Sequence, residues 1–82
     1  MTQEELLSGV KFRYEIGGYY NLKTLPDGDK IICQFGMHVA NIWSMNDKFI
    51  TAFTYVMNKR VNLKIDMSKC TLMEEPAGAV ML

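Results

Sequence analysis

Apolar and polar residues alternate along much of the chain, a pattern typical of half-buried β-strands. The alternation is clearest over residues 10–16 and 61–67, where every second residue is apolar and those between are mostly charged or polar. Further strands are predicted over 19–25, 30–35 and 37–45. Residues with turn chemistry separate the strands, namely Gly17-Gly18, Pro26-Asp27-Gly28-Asp29, Gly36 as a bulge or bend, Asn46-Asp47 and Asn58-Lys59-Arg60. This spacing of turns predicts an antiparallel meander.

Residues 48–58 fit two interpretations. Phe49, Phe53 and Met57 recur at helical spacing, yet the segment is crowded with Thr, Ile, Val and aromatic residues, which suit a pleated surface. The alternating strand that follows, after a link of hairpin length, favours a strand here as well. A strand over 48–57 is therefore predicted, with a helix as the alternative.

The two ends of the chain are predicted to have a different structure from the strands between them. Thr2 and Glu5 have the spacing of a capping box, and Gly9 follows the apolar Leu6 and Leu7, which predicts a short helix. Residues 74–82, Glu-Glu-Pro-Ala-Gly-Ala-Val-Met-Leu, are predicted to be a flexible C-terminal tail. We therefore expect a single β-rich domain over residues 1–73.

The predicted fold is mainly β, with a short N-terminal helix followed by an antiparallel meander of about six strands. A sheet of this size hides its edges by curling, as a small SH3-like barrel or a curled sheet. The alternative is α+β, with four strands plus a helix at 48–58. The 82 residues allow one domain with a thin core, which argues against a deep catalytic cleft.

The net charge and its distribution along the chain indicate which classes of partner are favoured. Nine basic and nine acidic residues give a formal net charge of zero, so the chain as a whole does not attract a polyanion. The acidic residues prevail at both ends, whereas the 48–69 hairpin is basic. Nucleic-acid binding by this hairpin is therefore the alternative function rather than the first one.

The residues that carry chemistry are few. His38, Cys33 and Cys70 have no metal-ligand spacing, and nothing in the sequence implies a cofactor. A thiol–imidazole pair of Cys33 and His38 is the one enzymatic alternative, and it lacks an evident third residue to orient it. With no signal peptide or long apolar run, the cysteines are expected to be reduced thiols in the cytoplasm.

Aromatic residues and methionine instead favour an interaction module. Four Tyr, one Trp and seven Met are types that concentrate in protein interfaces. The candidate anchors are Tyr19, Tyr20 and Trp43, one of the two tyrosines being expected to point outward, with Arg13, Lys59 and Arg60 as polar neighbours. The predicted function is non-enzymatic binding of a protein partner or of a second copy in a homodimer.

Two stretches carry a resemblance. Thr-Gln-Glu-Glu-Leu-Leu-Ser-Gly-Val at 2–10 and Phe-Thr-Tyr-Val-Met-Asn-Lys-Arg-Val-Asn at 53–62 resemble stretches of small uncharacterised phage-type accessory proteins. Together they cover about a quarter of the chain. The resemblance implies an origin and assigns no role to any residue.

Overall fold

A computed structural model describes residues 1–15 and 18–73, which form a short helix and a single antiparallel sheet. This confirms the predicted mainly β fold and extends it by one strand. In chain order the elements are α1 (Gln3–Leu7), β1 (Phe12–Tyr14), β2 (Tyr20–Thr24), β3 (Lys30–Gln34), β4 (Met37–Met45), β5 (Phe49–Val56), β6 (Lys59–Asp66), a 3₁₀ helix (Met67–Lys69) and β7 (Cys70–Leu72).

The order of the strands explains why the sheet curls. The strands lie in the order β6-β5-β4-β3-β2-β1-β7, so β6 and β7 form its two edges. Only the three residues of the 3₁₀ helix join these two edge strands along the chain. Since so short a link cannot cross a flat sheet, the sheet must bend into a half-barrel that brings one end of β6 close to β7.

The core fills the concave side of the half-barrel. Four different strands each contribute an inward-pointing side chain that is almost completely buried, namely Phe12, Leu22, Ile32 and Ile50. Leu6 from α1, Met67 from the 3₁₀ helix and Cys70 from β7 complete this cluster. Burial of apolar area by the cluster stabilises the curl, since each fully buried side chain of this size contributes about 1.5–3 kcal/mol.

Helix α1 owes its position to its cap. The Thr2 hydroxyl accepts a hydrogen bond from the Glu5 amide at 3.2 Å, and the Glu5 carboxylate accepts one from the Thr2 amide at 2.9 Å. The predicted capping box is therefore confirmed. Because the helix has only five residues, burial of Leu6 against the sheet is what keeps it folded.

Two strand connections are two-residue turns in which both central residues have positive φ, the signature of type I′. Phe35 and Gly36 join β3 to β4 with φ of 52° and 80°, and Met57 and Asn58 join β5 to β6 with φ of 52° and 66°. The prediction of a loop at Asn58-Lys59-Arg60 was therefore wrong by one position: Lys59 and Arg60 belong to β6.

Other predictions need only local correction. Residues 49–56 are a strand, so the helix alternative at 48–58 was wrong. Gly36 lies in a turn rather than a bulge, and the sheet is irregular instead at Ile32/Cys33 and at Ile42/Ser44. Strand β7 was not predicted, because three residues after a 3₁₀ turn are too few to show a period. Gly17 and the predicted tail at 74–82 lie outside the described residues.

Candidate protein-interaction site

Near its turn, the hairpin of β5 and β6 separates from the adjoining strand β4, which continues to Met37 beside β3. β4 pairs with β5 only as far as Asn41 opposite Phe53, whereas β5 and β6 stay paired to Val56 opposite Lys59. Residues 54–61, which we call the arm, therefore form a two-stranded ribbon to which the described part of the chain adds no third strand.

The arm ends in apolar side chains that contact solvent. Met57 at the tip is 90% exposed, Tyr55 is 63% exposed and Val56 is 54% exposed. Val61 on β6 is exposed as well. Clusters of exposed apolar groups on soluble domains mark sites of association, and a two-stranded ribbon gains stability when another element packs on it.

The backbone at the tip is strained. Met57 adopts a left-handed conformation, which costs a residue with a Cβ about 1–2 kcal/mol and which Asn and Gly adopt more readily. Asn58, the other central residue of the turn, suits that region. The most exposed apolar side chain of the arm therefore sits where folding alone favours a different residue, an outlier of the kind that points to function.

Aromatic rings and cations cover the outer face at the base of the arm. The Arg60 guanidinium lies 4.2 Å from the centroid of the Phe53 ring, and the Lys64 ammonium lies 4.2 Å from that of Phe49. Phe53 in turn contacts Tyr55 edge to face, with the ring centroids 6.2 Å apart. Arg60 is also fixed by the hydrogen bond from its Nε to Asn62 Oδ1 at 3.2 Å.

Among residues 1–15 and 18–73, no strand pairs with the outer edge of β6. β6 is the last strand of the sheet, and its eight residues pair with β5 along their whole length. Behind this edge lies a cleft of about 230 Å³, bounded on one side by Leu63 and Ile65 and on the other by Phe12, Tyr14 and Tyr20. An apolar cleft beside an unpaired strand suits recognition of another polypeptide by strand addition.

A second aromatic cluster lies at the β3–β4 turn. The ring of Phe35 contacts that of Tyr19 edge to face, with the centroids 4.8 Å apart, and the Lys11 ammonium lies 5.1 Å from the Tyr19 centroid. Phe35 and the adjacent Met37 are exposed. This cluster belongs to the β3–β4 hairpin, whereas the arm belongs to the β5–β6 hairpin.

The six predicted site residues are dispersed across the molecule. Tyr20 packs at 6.0 Å from Phe12, and its hydroxyl accepts a hydrogen bond from Gln34 Nε2 at 3.1 Å. Tyr20 is therefore part of the inner side and Tyr19 of the outer one. Trp43 is 61% exposed at the β4 irregularity, beside the β2–β3 turn.

Of the remaining predicted residues, Arg13 lies on β1, opposite Thr71. Lys59 and Arg60 are consecutive residues of β6 and lie on the arm. The sequence analysis did not single out Tyr55, Met57 and Val61, because it placed the turn one residue too late. The signal was nevertheless present, since Asn58 is the residue of that stretch best suited to a left-handed turn position.

The cysteines and the histidine lie apart from the arm. Cys33 pairs with His38 across the β3–β4 ladder, and Cys33 is buried whereas His38 is exposed. Cys70 belongs to the core, where burial raises the pKa of its thiol above the ordinary value. Both cysteines are free thiols, and within residues 1–15 and 18–73 no three potential metal ligands come together.

The chain matches no protein-family model, and it has no significant match among curated proteins or solved structures. Within the described residues, no helix has the length and apolar character needed to cross a membrane. The interpretation of the site therefore depends on its geometry and chemistry alone.

Proposed function

We propose that the chain is a non-enzymatic binding module that attaches to a protein partner or to a second copy through the β5–β6 arm. The observation that carries the proposal is the exposure of Tyr55, Val56 and Met57 at the end of a ribbon that nothing else in the described chain supports. Full burial of each of these side chains by a partner contributes about 1.5–3 kcal/mol to the free energy of binding.

The chemistry of the arm favours a protein over other partners. Tyr, Met and Arg, all present here, are enriched in protein interfaces, where a few such side chains carry most of the binding free energy. Arg60 and Lys59 supply a polar rim beside the apolar tip. The free, buried cysteines support a reducing compartment such as the cytoplasm. A phage-type origin stays a prediction from sequence.

Site-specific photo-crosslinking tests the proposal. A photoreactive phenylalanine analogue is placed at Met57, and in a matched control at Asp27, which is exposed in the β2–β3 turn. We expect a specific protein adduct from position 57 and none from position 27. The purified adduct partner should then bind the unmodified chain, and the substitution Met57→Asn should weaken binding at least about tenfold, a loss of 1.4 kcal/mol. Equal labelling from both positions would refute the proposal.

Binding of single-stranded nucleic acid is the second candidate, and it is supported by the outer face of β5 and β6. Phe49 and Phe53 are aromatic platforms with a cation beside each ring, as in single-strand binding folds. However, Arg60 and Lys64 occupy the ring faces on which bases would have to stack. Fluorescence anisotropy with labelled oligonucleotides at about 50 mM salt tests this alternative, which requires binding that weakens steeply as salt is added.

A further inference from the structure

We infer that a second copy of this chain pairs with the edge of β6, in an antiparallel register centred on Leu63. This inference deepens the self-association part of the proposed function and names its geometry. It follows from three properties of β6: the direction of its unpaired backbone groups, the order of its charges and the cleft behind it.

The backbone groups of alternate residues point to the edge. A two-residue turn closes on a hydrogen-bonded pair, here Val56 and Lys59, so the residues that bond to β5 along β6 are the odd-numbered ones. The N–H and C=O groups of Arg60, Asn62, Lys64 and Asp66 consequently face away from β5. Two such edges related by a two-fold axis perpendicular to the sheet can form a continuous ladder.

The charges of β6 and the length of the paired segment together favour one register among those the ladder allows. Residues directly opposite each other in an antiparallel pair lie on the same face and interact. With Leu63 opposite its own copy, Arg60 lies opposite Asp66 and Asn62 lies opposite Lys64, each pair occurring twice. Opposite charges therefore meet and like charges do not.

The neighbouring registers are electrostatically unfavourable. Centring the pair on Asn62 places Arg60 opposite Lys64 of the second copy, and centring it on Lys64 places two copies of Lys64 opposite each other. Directly opposed like charges destabilise a strand pair. Of the two alignments that pair seven residues of β6, those centred on Asn62 and on Leu63, only the one centred on Leu63 keeps like charges apart.

The side chains needed for this register are available. Asp66 Oδ1 accepts hydrogen bonds from the Ser68 amide at 2.9 Å and the Ser68 hydroxyl at 2.7 Å, whereas its Oδ2 accepts none among the described residues. Arg60 donates to Asn62 from Nε only, and no carboxylate of the described chain lies within 4.0 Å of it. Arg60 of one copy can therefore donate to Asp66 of the other.

On the inner face the same register joins apolar groups. Leu63 meets Leu63 of the second copy and Val61 meets Ile65 of the second copy, beside the cleft that Leu63 and Ile65 bound. The β6 part of each arm then lies between β5 and a strand of the other copy. The ribbon thereby acquires the third strand that it lacks in the single chain.

Cross-strand disulfide formation tests the register. Leu63→Cys places two thiols opposite each other in a non-hydrogen-bonded pair, with a Cα separation of about 4.5 Å that a disulfide spans. Asn62→Cys is the matched control, because in this register residue 62 faces residue 64 and its two copies are more than about 7 Å apart. In a glutathione buffer, we expect Leu63→Cys to form the dimer disulfide roughly tenfold faster than Asn62→Cys.

A charge exchange provides an independent test if Leu63→Cys folds poorly. Arg60→Glu alone and Asp66→Lys alone each place like charges opposite each other, so each should sediment as a monomer under conditions in which the unmodified chain is a dimer. A mixture of the two variants restores both opposite-charge pairs and should form a heterodimer. Urea unfolding of each variant shows that it remains folded.

Three results would overturn the inference: a monomer at all concentrations of the unmodified chain, equal disulfide rates at positions 62 and 63, or no heterodimer from the folded charge variants. A monomeric chain that still crosslinks to another protein from position 57 removes this inference and leaves the proposed function standing. No adduct with another protein from position 57, together with a dimer linked at Leu63, keeps this inference and removes the binding of a different protein from the proposed function.

Discussion

The ring of Phe35 fills the space that a side chain on residue 18 would need. A Cβ built on Gly18 would clash with the Phe35 ring, and Gly18 has a φ of 21°. Phe35 is itself in the left-handed region, in the turn between β3 and β4. Because residue 18 has no Cβ, the Phe35 ring at the β3–β4 turn can pack directly against it.

Gly18→Ala should therefore cost more stability than a glycine substitution without a neighbour. Gly28 also has positive φ, but a Cβ there meets nothing within 4 Å, so Gly28→Ala reports backbone strain alone. We expect Gly18→Ala to lower the free energy of unfolding by about 1–3 kcal/mol more than Gly28→Ala, as overpacking does. Urea unfolding measures both, and the difference should shrink when Phe35→Ala is also present. A difference that persists would exclude Phe35 as its cause.

The two central residues of the β5–β6 turn should respond oppositely to substitution. Met57→Asn places a residue suited to left-handed φ at a strained position and should stabilise the chain by about 0.5–1 kcal/mol. Asn58→Ala does the reverse and should destabilise it by about as much. Urea midpoints give both values. If Met57→Asn were destabilising instead, the Met57 side chain would contribute to folding. Its left-handed backbone would then no longer indicate a role in binding.

Trp43 should matter little for folding. Its side chain is 61% exposed and lies outside the core cluster. Trp43→Ala should therefore change the free energy of unfolding by less than about 1 kcal/mol, against about 3–5 kcal/mol for Phe12→Ala in the core. If Trp43 anchors a partner, as the sequence predicts, its substitution should weaken association more than folding. Thermal unfolding and sedimentation of the same two variants separate these effects.

The stability of the fold should depend on pH through Asp66. Hydrogen bonds from the Ser68 hydroxyl and amide, aided by nearby Lys69, hold the pKa of Asp66 below its ordinary value of 3.8. Because the folded-state pKa is the lower one, the stabilisation is complete above the unfolded pKa and is lost as pH falls through the folded pKa.

Asp66→Asn should therefore flatten the acid limb of the stability profile below about pH 4 while keeping an acceptor for the Ser68 amide. Ser68→Ala, which removes the hydroxyl donor, should flatten the same region in part. Urea unfolding from pH 2 to pH 6 follows both variants. An unchanged acid limb in Asp66→Asn would show that other carboxylates control it.

Cys70 should react slowly in the folded chain. Burial raises the pKa of its thiol, and its Sγ lies 3.6 Å from the Asp66 carbonyl oxygen. In a Cys33→Ala background, alkylation by iodoacetamide should be much slower in the native state than in urea, with a pH midpoint higher than that of the same thiol in urea. Rapid native alkylation near neutral pH would contradict the placement of Cys70 in the core.

The sequence predicted the strands better than the surfaces they create. Alternation over 10–16 and 61–67 identified β1 and β6, and Asn46-Asp47 marked the turn where Asn46 Oδ1 accepts the amides of Lys48 and Phe49. Local patterns of this kind do not determine which strands pair with each other. That β7 lies beside β1, and that β4 separates from β5 at the base of the arm, depends on long-range contacts that a single sequence does not reveal.

The candidate site was harder to predict for the same reason. Tyr19 and Tyr20 were correctly assigned to opposite sides, because alternation settles that. The exposure of Tyr55 and Met57 follows from the separation of one hairpin from its neighbour, and it was missed because the turn was predicted too late in the chain. Tyr20 was predicted as an anchor because it is aromatic, but its ring packs against Phe12 on the inner side of the sheet.

Amide hydrogen exchange, followed by NMR at low and high protein concentration, tests the central claim most directly. If the edge of β6 pairs with a second copy, the amides of Asn62 and Lys64 exchange freely in the dilute chain and become protected as concentration rises. The amide of Leu63, already bonded within the sheet, should change far less. Protection that stays the same at all concentrations, or that grows on another strand and not on β6, would contradict the account.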